Sequence, residues 1–391
     1  MERIVLKDCR IIDPYQNIDM VGSIAIKNGE IESLGEVLIK EKDTVFNLKN
    51  MIATPGFIDI HCHPGINFSF ISAPEKQAGH ETGVLLLCDA GSAGEANFDC
   101  YRDYVVKNSE TEILCFINIA STGLITIPEI ISEKNIDAQK TLDKIKSNLN
   151  LIKGVKVRAV QETAESVGLK AIEIAKKVAS DCNLPLMVHI GGGRRERYEN
   201  DMMDDFTCSL SSLMEKGDIV SHYLTWQPGG MIRGNGYICK EMQLMYERGV
   251  FFDSCLGVSN FNFEIAKIAI REGFLPHLIS TDMASMTVDS VQSLVVSMSK
   301  FLNLGLTINQ IVEMVTTNPA RALNELGKRG TLCKGENANI SICELIEGEY
   351  IFCDGYGGER IKGNTLIEPR MIFKNGDMHP AYSNYHEPLI Y

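Results

Sequence analysis

Residues 57–63 read Phe57-Ile58-Asp59-Ile60-His61-Cys62-His63, an apolar strand that ends on two histidines. In a β-strand, residues i and i+2 point to the same side, so His61 and His63 can present two imidazoles to one point in space. Imidazole is a ligand that suits zinc and its first-row neighbours. The alternative is a strand end whose histidines only find hydrogen-bond partners, and the rest of the chain has to decide.

Outward from this stretch, short apolar runs alternate with amphipathic stretches of helical length. The strand candidates are Ile52–His61, Gly83–Asp89, Ile113–Ala120, Gly154–Val160, Leu186–Ile190, Asp218–His222, Val250–Asp253 and Leu278–Thr281. Helical spacing of apolar residues follows nearly all of them, most clearly over 164–181 and 311–323. Such alternations predict an α/β fold, specifically a (β/α)8 TIM barrel. A doubly wound sheet is the alternative, but it usually uses fewer strands.

The two ends of the chain resemble each other rather than the middle. Both carry short strand-like runs, and each contains an Asn-Gly pair, Asn28-Gly29 near the start and Asn375-Gly376 near the end. Asn-Gly between apolar runs is a strong hairpin signal, so we expect both ends to combine into one small β domain. The predicted organisation is a first β-sandwich part over 1–51, a barrel over 52–328 and a second β-sandwich part over 329–391.

Composition is close to the average for a globular protein. The 391 residues are 45% hydrophobic and 23% charged, and the net charge of −13 argues against nucleic acid as a partner. The 12 cysteines are scattered and include no Cys-x-x-Cys pair, as expected of reduced thiols. The first residues lack the apolar segment of a signal peptide, and no uncharged apolar run could span a bilayer. We therefore expect a cytoplasmic protein with no membrane partner; a homo-oligomer is compatible with the sequence.

Further metal-capable side chains fall on the predicted barrel strands. Lys156 lies in strand four, His189 and His222 end strands five and six, and Asp282 follows strand eight. Each has a structural alternative: a histidine satisfied by hydrogen bonds, an aspartate that caps a helix, or a lysine paired with a carboxylate. Barrel enzymes carry their catalytic groups at the carboxyl ends of the strands, and coincidence becomes improbable for the whole set. The other histidines are interpreted as structural or surface residues: His80, His277, His379 and His386.

In this order, the residues resemble the amidohydrolase superfamily over nearly the whole chain. The motifs are Thr54-Pro55-Gly56-Phe57-Ile58-Asp59 before the histidine pair, the strand-four lysine, the two later histidines and Ser280-Thr281-Asp282. The stretch from Gly330 to Ile340 looks like the return of the chain into a sandwich. The resemblance implies a metal-binding barrel joined to a β-sandwich made from both chain ends.

Four further segments look like the deacetylase branch related to dihydroorotases, namely 89–94, 154–158, 297–302 and 316–320. The resemblance implies hydrolysis of an amide or ester bond in a small, carboxylate-bearing substrate such as an N-acetyl amino acid or an acetylated 2-hydroxy acid. The chain departs from the branch after strand seven, where Ser254-Cys255-Leu256-Gly257 replaces a Gly-His-Gly. The alternatives are a cyclic amidase of the dihydroorotase or hydantoinase kind, a one-metal enzyme and a non-enzymatic barrel scaffold.

The resemblance also implies a centre of two divalent ions, with zinc favoured. The implied ligands are His61, His63, Lys156, His189, His222 and Asp282. The first two histidines and the aspartate would hold one ion, and the later two histidines would hold the second. The lysine would bridge the ions after its neutral amine, favoured by burial, had reacted with CO2 to give N6-carboxylysine. The ions would share and activate the attacking water.

Asp282 is the implied catalytic residue, which takes a proton from the attacking water and delivers it to the leaving amine. Arg158 lies two residues beyond the strand-four lysine on the same side of the strand. It is predicted to clamp a substrate carboxylate, and an ion pair within the barrel is the open alternative. Arg194 and Arg195 are weaker candidates for that task, and the turn 91–94 is a candidate source of backbone donors.

Overall fold

The structure of the chain is a computed structural model that describes residues 3–192, 201–232, 237–354 and 359–387. Its strands are β1 Arg3–Asp13, β2 Ile18–Lys27, β3 Glu30–Gly35, β4 Thr44–Asn47, β5 Ile52–Pro55, β6 Phe57–Cys62, β7 Val84–Ala90, β8 Glu112–Asn118, β9 Ile152–Ala159, β10 Leu186–Ile190, β11 Ile219–Ser221, β12 Phe251–Asp253, β13 Ile340–Cys353, β14 Arg360–Lys374 and β15 Asp377–Pro380. Its α-helices are α1 Glu75–Ala78, α2 Phe98–Cys100, α3 Ala138–Lys146, α4 Gln161–Ser166, α5 Leu169–Asp181, α6 Asp201–Ser209, α7 Lys240–Arg248, α8 Phe263–Arg271, α9 Val288–Val291, α10 Leu294–Asn303, α11 Ile308–Val315 and α12 Thr317–Ala322. Arg194 and Arg195 lie outside the described residues.

The middle of the chain forms a parallel sheet. Within the described residues, β6 to β12 make a seven-stranded sheet in chain order. Strands β6, β7 and β10 are buried along their full length, which is the pattern of a parallel sheet covered on both faces. Because the strands run in one direction, all their carboxyl ends meet at one edge. The predicted α/β architecture is confirmed, and this edge is where a site can be assembled.

The eighth predicted strand, 278–281, is not a regular strand. Its flanking bridges in the described structure are Asp253–Leu278 and Cys62–Met283. The segment nevertheless bonds to both edges of the parallel sheet. The Leu278 N–H donates to the Phe252 carbonyl of β12 at 3.1 Å, and the Asp282 N–H donates to the His61 carbonyl of β6 at 2.8 Å. The end of this segment is thereby held against the end of β6.

The first predicted strand, 52–61, is two strands rather than one. Strand β5 pairs with β1 and β13, whereas β6 pairs with β7 in the parallel sheet. The chain changes sheets at Gly56, whose N–H donates to the Asn339 carbonyl at 2.9 Å. A Cβ added at Gly56 would lie 2.5 Å from Leu85 Cδ1 and 3.1 Å from Leu85 Cβ, so any other residue would have to displace the Leu85 side chain. Both strands are buried along their full length, so hydrophobicity alone does not separate them.

Both chain ends build the second sheet. Its strand order is β15-β14-β13-β5-β1-β2-β3, with β4 paired to β1. The Asn-Gly turns have φ of 57° and 82° at Asn28 and Gly29, and of 50° and 86° at Asn375 and Gly376. Positive φ at both central residues is the type I′ hairpin geometry, and both hairpins agree with the sequence prediction. The domain boundaries at 51/52 and 328/329 stay a prediction.

Two predicted helices are interrupted. The range 164–181 contains the end of α4 and all of α5, which are separated at Gly168 with φ of 65°. The range 311–323 divides into α11 and α12 at Thr316, where φ is −132° and ψ is −76°. Pro319 lies in the first turn of α12, where a missing N–H breaks no helical hydrogen bond. The sequence prediction treats each range as one helix because the apolar periodicity continues across the interruption.

The main apolar core lies between the parallel sheet and its helices. A second cluster, which includes Leu6, Ile24, Ile340 and Phe373, lies on the sheet built from the chain ends. Among the described residues, no helix is both long enough and apolar enough to cross a bilayer.

Candidate metal centre

The predicted site residues converge at the carboxyl edge of the parallel sheet. His61 lies near the end of β6, His189 lies near the end of β10, and His222 follows β11 directly. Lys156 projects from β9, and Asp282 follows the eighth segment. The histidines and the lysine are buried, and 16% of the Asp282 side chain is exposed. Four strands and the segment 278–281 therefore supply polar groups to one place.

The carboxylate of Asp282 is at the middle of the cluster. Its Oδ1 lies 3.3 Å from His63 Nε2 and 3.6 Å from His61 Nε2. Its Oδ2 lies 4.0 Å from His222 Nε2. The His189 ring lies beside the His222 ring, with centroids 4.1 Å apart. Three imidazoles thus surround one carboxylate, and the fourth, His189, packs on one of them.

Hydrogen bonds on the far side of the rings orient these imidazoles. His63 Nδ1 lies 3.0 Å from Ser92 Oγ, and His222 Nδ1 donates to the Cys255 carbonyl at 2.8 Å. A carbonyl oxygen can only accept, so His222 carries its proton on Nδ1 and keeps the Nε2 lone pair for the centre. Outer hydrogen bonds of this kind fix the ring orientation of metal-binding histidines.

Lys156 is buried with no carboxylate at ion-pair distance in the described structure. Its Nζ lies 3.0 Å from His61 Nε2, and it forms no ion pair with any carboxylate that the structure describes. Burial lowers the pKa of Lys156 to about 8, because the charged form loses its hydration. The structural alternative of a lysine paired with a carboxylate is therefore not what the structure shows.

Burial also keeps three of the imidazoles neutral. It lowers the pKa of His61 and His189 far below the ordinary value and lowers the pKa of His222 to about 4. At Asp282, burial alone would raise the pKa, but the hydrogen bond from His63 and nearby positive charge, including that of Lys156, lower it below its ordinary value. Neutral imidazole and ionised carboxylate are the forms that bind a metal, so the donor set fits a divalent cation.

Backbone strain concentrates at the same place. The φ angles of His222, Cys255 and Asp282 are 69°, 38° and 51°. Non-glycine residues rarely adopt positive φ, and such strain gathers at functional sites. Gly257 has φ of 56°, and a Cβ added there would lie 2.7 Å from Asp282 Oδ2. The segment after β12 therefore packs directly on the central carboxylate.

Comparison with known proteins gives the family of this chain. Residues 52–378 match the Amidohydrolase family. The chain belongs to that family. It is 31% identical over 349 residues to a deacetylase of Brucella anthropi, covering 88% of this chain and 84% of that protein. It is 27% identical over 361 residues to a deacetylase of Enterococcus faecalis, covering 91% of this chain and 94% of that protein.

Solved structures agree with this assignment. The crystal structure of a dihydroorotase matches with a TM-score of 0.86 at 28% identity, covering 99% of this chain and 100% of that chain. That of an adenine deaminase matches with a TM-score of 0.87 at 25% identity, covering 97% of this chain and 100% of that chain. This amidohydrolase is a hydrolase that acts on carbon–nitrogen bonds, and metal binding is typical of its family.

Arg158 of the amidohydrolase forms an ion pair, the alternative that the sequence left open. Its Nη1 donates to Glu129 Oε2 at 2.9 Å. The side chain is still 18% exposed and borders a cavity of about 280 Å³ that His189 also borders. A guanidinium carries five N–H donors, so this ion pair leaves others free to face the cavity.

In the turn 91–94, three of the backbone donors considered from the sequence are already bonded. The Gly91 and Ser92 N–H groups donate to Asp89 Oδ1 at 3.1 and 2.9 Å. The Gly94 N–H donates to Asn97 Oδ1 at 2.9 Å. Because these amides are already bonded, the interpretation as a tight turn is the better one.

Sequence reasoning missed a buried aspartate behind the centre. Asp253, the last residue of β12, accepts from Ser280 Oγ at 2.7 Å and from Ser221 Oγ at 3.2 Å. Ser221 Oγ in turn lies 3.1 Å from His61 Nδ1, so the aspartate supports that ring through one hydroxyl. Burial raises the pKa of Asp253 to about 7. Its place at the carboxyl end of a predicted strand was the signal that could have found it.

The second missed residue is Cys255. Its Sγ belongs to a group of ligand atoms from His61, His222 and Asp282 that all lie within 4.8 Å of one another. No spacing in the sequence singles this cysteine out from the other cysteines, because its position depends on the conformation of the segment after β12.

Proposed function

We propose that this amidohydrolase is a deacetylase that acts on small, carboxylate-bearing substrates such as N-acetyl amino acids or acetylated 2-hydroxy acids. The observation that carries the proposal is the set of histidine Nε2 atoms within 4.0 Å of the Asp282 carboxylate. Relatives named deacetylase, which align with most of the chain, support this choice of reaction.

The residues of the centre would hold two divalent ions. His61, His63 and Asp282 would hold one ion, and His189 and His222 would hold the second. Zinc is the expected metal, since imidazole and carboxylate are ligands that it accepts readily. When bound, the ions would polarise the scissile carbonyl and lower the pKa of water.

Lys156 would complete the centre as N6-carboxylysine. Its neutral Nζ forms a bond to the carbon of CO2 and loses one proton, which gives a carbamate with one negative charge and two oxygens. The burial of this amine, which lowers its pKa, supports the step. The carbamate would replace a buried amine by an anionic ligand.

Asp282 would move the proton that the reaction requires. Its carboxylate accepts a proton from the attacking water and then donates it to the leaving nitrogen as the carbon–nitrogen bond breaks. The lowered pKa of Asp282 keeps the carboxylate ionised at the start. An amide nitrogen leaves poorly until it is protonated, so both transfers are needed.

Arg158 would bind the substrate carboxylate in the cavity that it shares with His189. The ion pair with Glu129 holds the guanidinium in place, and the remaining N–H groups would donate to the substrate.

We also infer that the parallel sheet closes into an eight-stranded barrel through the segment 278–283. The hydrogen bonds of that segment to both edges of the sheet support this inference.

A second candidate is a cyclic amidase of the dihydroorotase or hydantoinase kind. The similarity to a dihydroorotase structure over 99% of the chain favours it as the alternative. A non-enzymatic scaffold is disfavoured by the complete donor set, and a one-metal enzyme differs only in the number of ions bound.

The test is a substrate screen with protein loaded with zinc or manganese, together with elemental analysis. The substrates are N-acetyl-D- and N-acetyl-L-amino acids, acetyl esters of 2-hydroxy acids, dihydroorotate and hydantoins. Acetate release that a chelator abolishes, with two ions per chain, would support the proposal, and one ion per chain would correct the number. Turnover of the cyclic substrates alone would transfer the assignment to the second candidate. A protein with neither metal nor turnover would contradict both.

A further inference from the structure

Cys255 places a thiol at the metal centre, where the family resemblance implies no sulfur ligand. The residue follows β12 by two positions and is fully buried. Its Sγ lies 3.6 Å from His222 Nε2. It also lies within 4.8 Å of a ligand atom of His61 and of Asp282.

The backbone holds this thiol firmly. The Cys255 carbonyl accepts from His222 Nδ1 at 2.8 Å, and the Cys255 N–H donates to Asp253 Oδ1 at 3.2 Å. The next N–H groups, of Leu256 and Gly257, donate to carbonyls of the segment 278–281 at 3.1 and 3.0 Å. One residue thus both orients the His222 ring through its carbonyl and points its sulfur at the other nitrogen of that ring.

The distance between that sulfur and that nitrogen fits two ligands of one ion. A tetrahedral zinc with Zn–N of about 2.05 Å and Zn–S of about 2.3 Å separates the two donor atoms by about 3.6 Å. The observed separation is 3.6 Å. Without metal, the same separation allows an S–H···N hydrogen bond from the thiol to the imidazole.

We propose that Cys255 is a thiolate ligand of the ion held by His222. This proposal rests on the metal centre of the proposed function. On binding, the S–H bond breaks, a sulfur–metal bond forms and the proton leaves to solvent. A thiolate is a soft ligand, whereas carboxylate and water suit harder ions. The cysteine therefore biases this position towards zinc or cobalt and away from manganese and magnesium.

The direct test is X-ray absorption at the zinc edge of the zinc-loaded holoenzyme, together with the near-ultraviolet spectrum of the cobalt-loaded holoenzyme. We expect a sulfur shell at about 2.3 Å and a thiolate-to-cobalt charge-transfer band. Neither measurement needs a variant, so a folding defect cannot obscure the result.

Cys255→Ser then assigns the sulfur, with Cys343→Ser as the matched control because Cys343 is a buried cysteine in the other sheet. We expect Cys255→Ser to lose both signals and to retain zinc at least tenfold less well relative to manganese, and Cys343→Ser to match the parent. Two bound ions with only nitrogen and oxygen neighbours would overturn the proposal and leave the deacetylase assignment standing. A holoenzyme preparation that binds no ion would overturn both.

Discussion

Lys156 Nζ lies 3.0 Å from His61 Nε2, and each of the two residues is only 1% exposed. If both groups were protonated, two positive charges would face each other at hydrogen-bond distance. Burial relieves this conflict by lowering the pKa of Lys156 to about 8 and that of His61 far below its ordinary value. A bare amine is thus poorly matched to its surroundings, whereas an anionic carbamate between two cations would be well matched to them.

Lys156→Ala is therefore expected to lose metal and activity together. Loss of an outer partner of a metal ligand costs about 10–100-fold, so loss of a bridging ligand should cost at least about 100-fold in activity. A short carboxylic acid such as propionate should restore part of the activity by supplying the missing oxygens. The measurements are metal content and turnover across a propionate titration.

The matched control is Lys300→Ala. Lys300 is also buried, and burial also lowers its pKa to about 8, but it lies in α10 with the Ser290 carbonyl at 3.5 Å from its Nζ. This variant should keep the parent's metal content. Unchanged metal content in Lys156→Ala would contradict the bridging role.

Asp282→Asn should abolish turnover while much of the metal stays bound. The amide can still offer an oxygen, but it can neither accept the proton of water nor deliver one, and a general acid–base group contributes about 10²–10⁴-fold. End-point assays over hours measure the residual turnover, and metal analysis measures the bound ions, so loss of catalysis is separated from loss of metal. Asp289→Asn, an exposed aspartate in the following segment, is the control. Full activity in Asp282→Asn would remove this carboxylate from the mechanism.

Arg158→Met should raise KM for carboxylate-bearing substrates with a smaller effect on kcat. A charged hydrogen bond is worth about 1.5–3 kcal/mol, which corresponds to about 10–100-fold in KM. Arg158→Lys should recover only part, because an ammonium lacks the bidentate fork. A substrate analogue with an amide in place of the carboxylate should not distinguish the variants. Equal KM values for parent and Arg158→Met would leave the ion pair with Glu129 as the whole role of this arginine.

The convergence of the six predicted ligands could be predicted from sequence because Lys156 lies within a strand of the parallel sheet and the other five lie at or just after the end of a strand-like segment. Chain order then equals spatial order, so His61, Lys156, His189 and His222 had to reach one edge once the strands were recognised. Strand periodicity and burial carried that inference. The roles of these residues as ligands stay a prediction until a metal is observed.

The features that sequence reasoning missed depend on loops and on contacts between distant segments. Glu129 reaches Arg158 from a segment with no strand or helix pattern, and Cys255 reaches His222 through a backbone at positive φ. The sheet change at Gly56 depends on the approach of Leu85. Local propensity contains none of this information, since each feature is decided by a partner far away in the chain.

Gly257→Ala should damage the centre without altering any polar group. The new Cβ would lie 2.7 Å from Asp282 Oδ2, and φ of 56° is strained for alanine. Gly273→Ala separates the two effects, because φ there is 75° but no atom lies within 4 Å of the added Cβ. Both variants should lose about 1 kcal/mol of unfolding free energy from backbone strain. Only Gly257→Ala should also lose metal affinity and turnover, and equal metal affinity in the two variants would contradict this role.

His277 should make stability fall in mild acid. It is half-buried against Tyr246, and this burial lowers its pKa from 6.5 to about 4. Its Nδ1 accepts from the Phe252 N–H at 3.1 Å, a bond that protonation would break. Above pH 6.5 the ring is neutral in both states and costs nothing. As the pH falls from 6.5 towards 4, His277 is protonated in the unfolded chain but stays neutral in the folded chain, so the free energy of unfolding decreases by up to about 3 kcal/mol.

His277→Asn keeps an acceptor near the position of Nδ1 but does not titrate in this range. Urea unfolding from pH 4 to 7 should therefore show a shallower pH dependence for His277→Asn than for the parent, whereas His379→Asn, at an exposed histidine, should follow the parent. Because the metal centre is common to all three proteins, its own pH dependence cancels in the comparison, and parallel curves for parent and His277→Asn would show that this ring does not carry the effect.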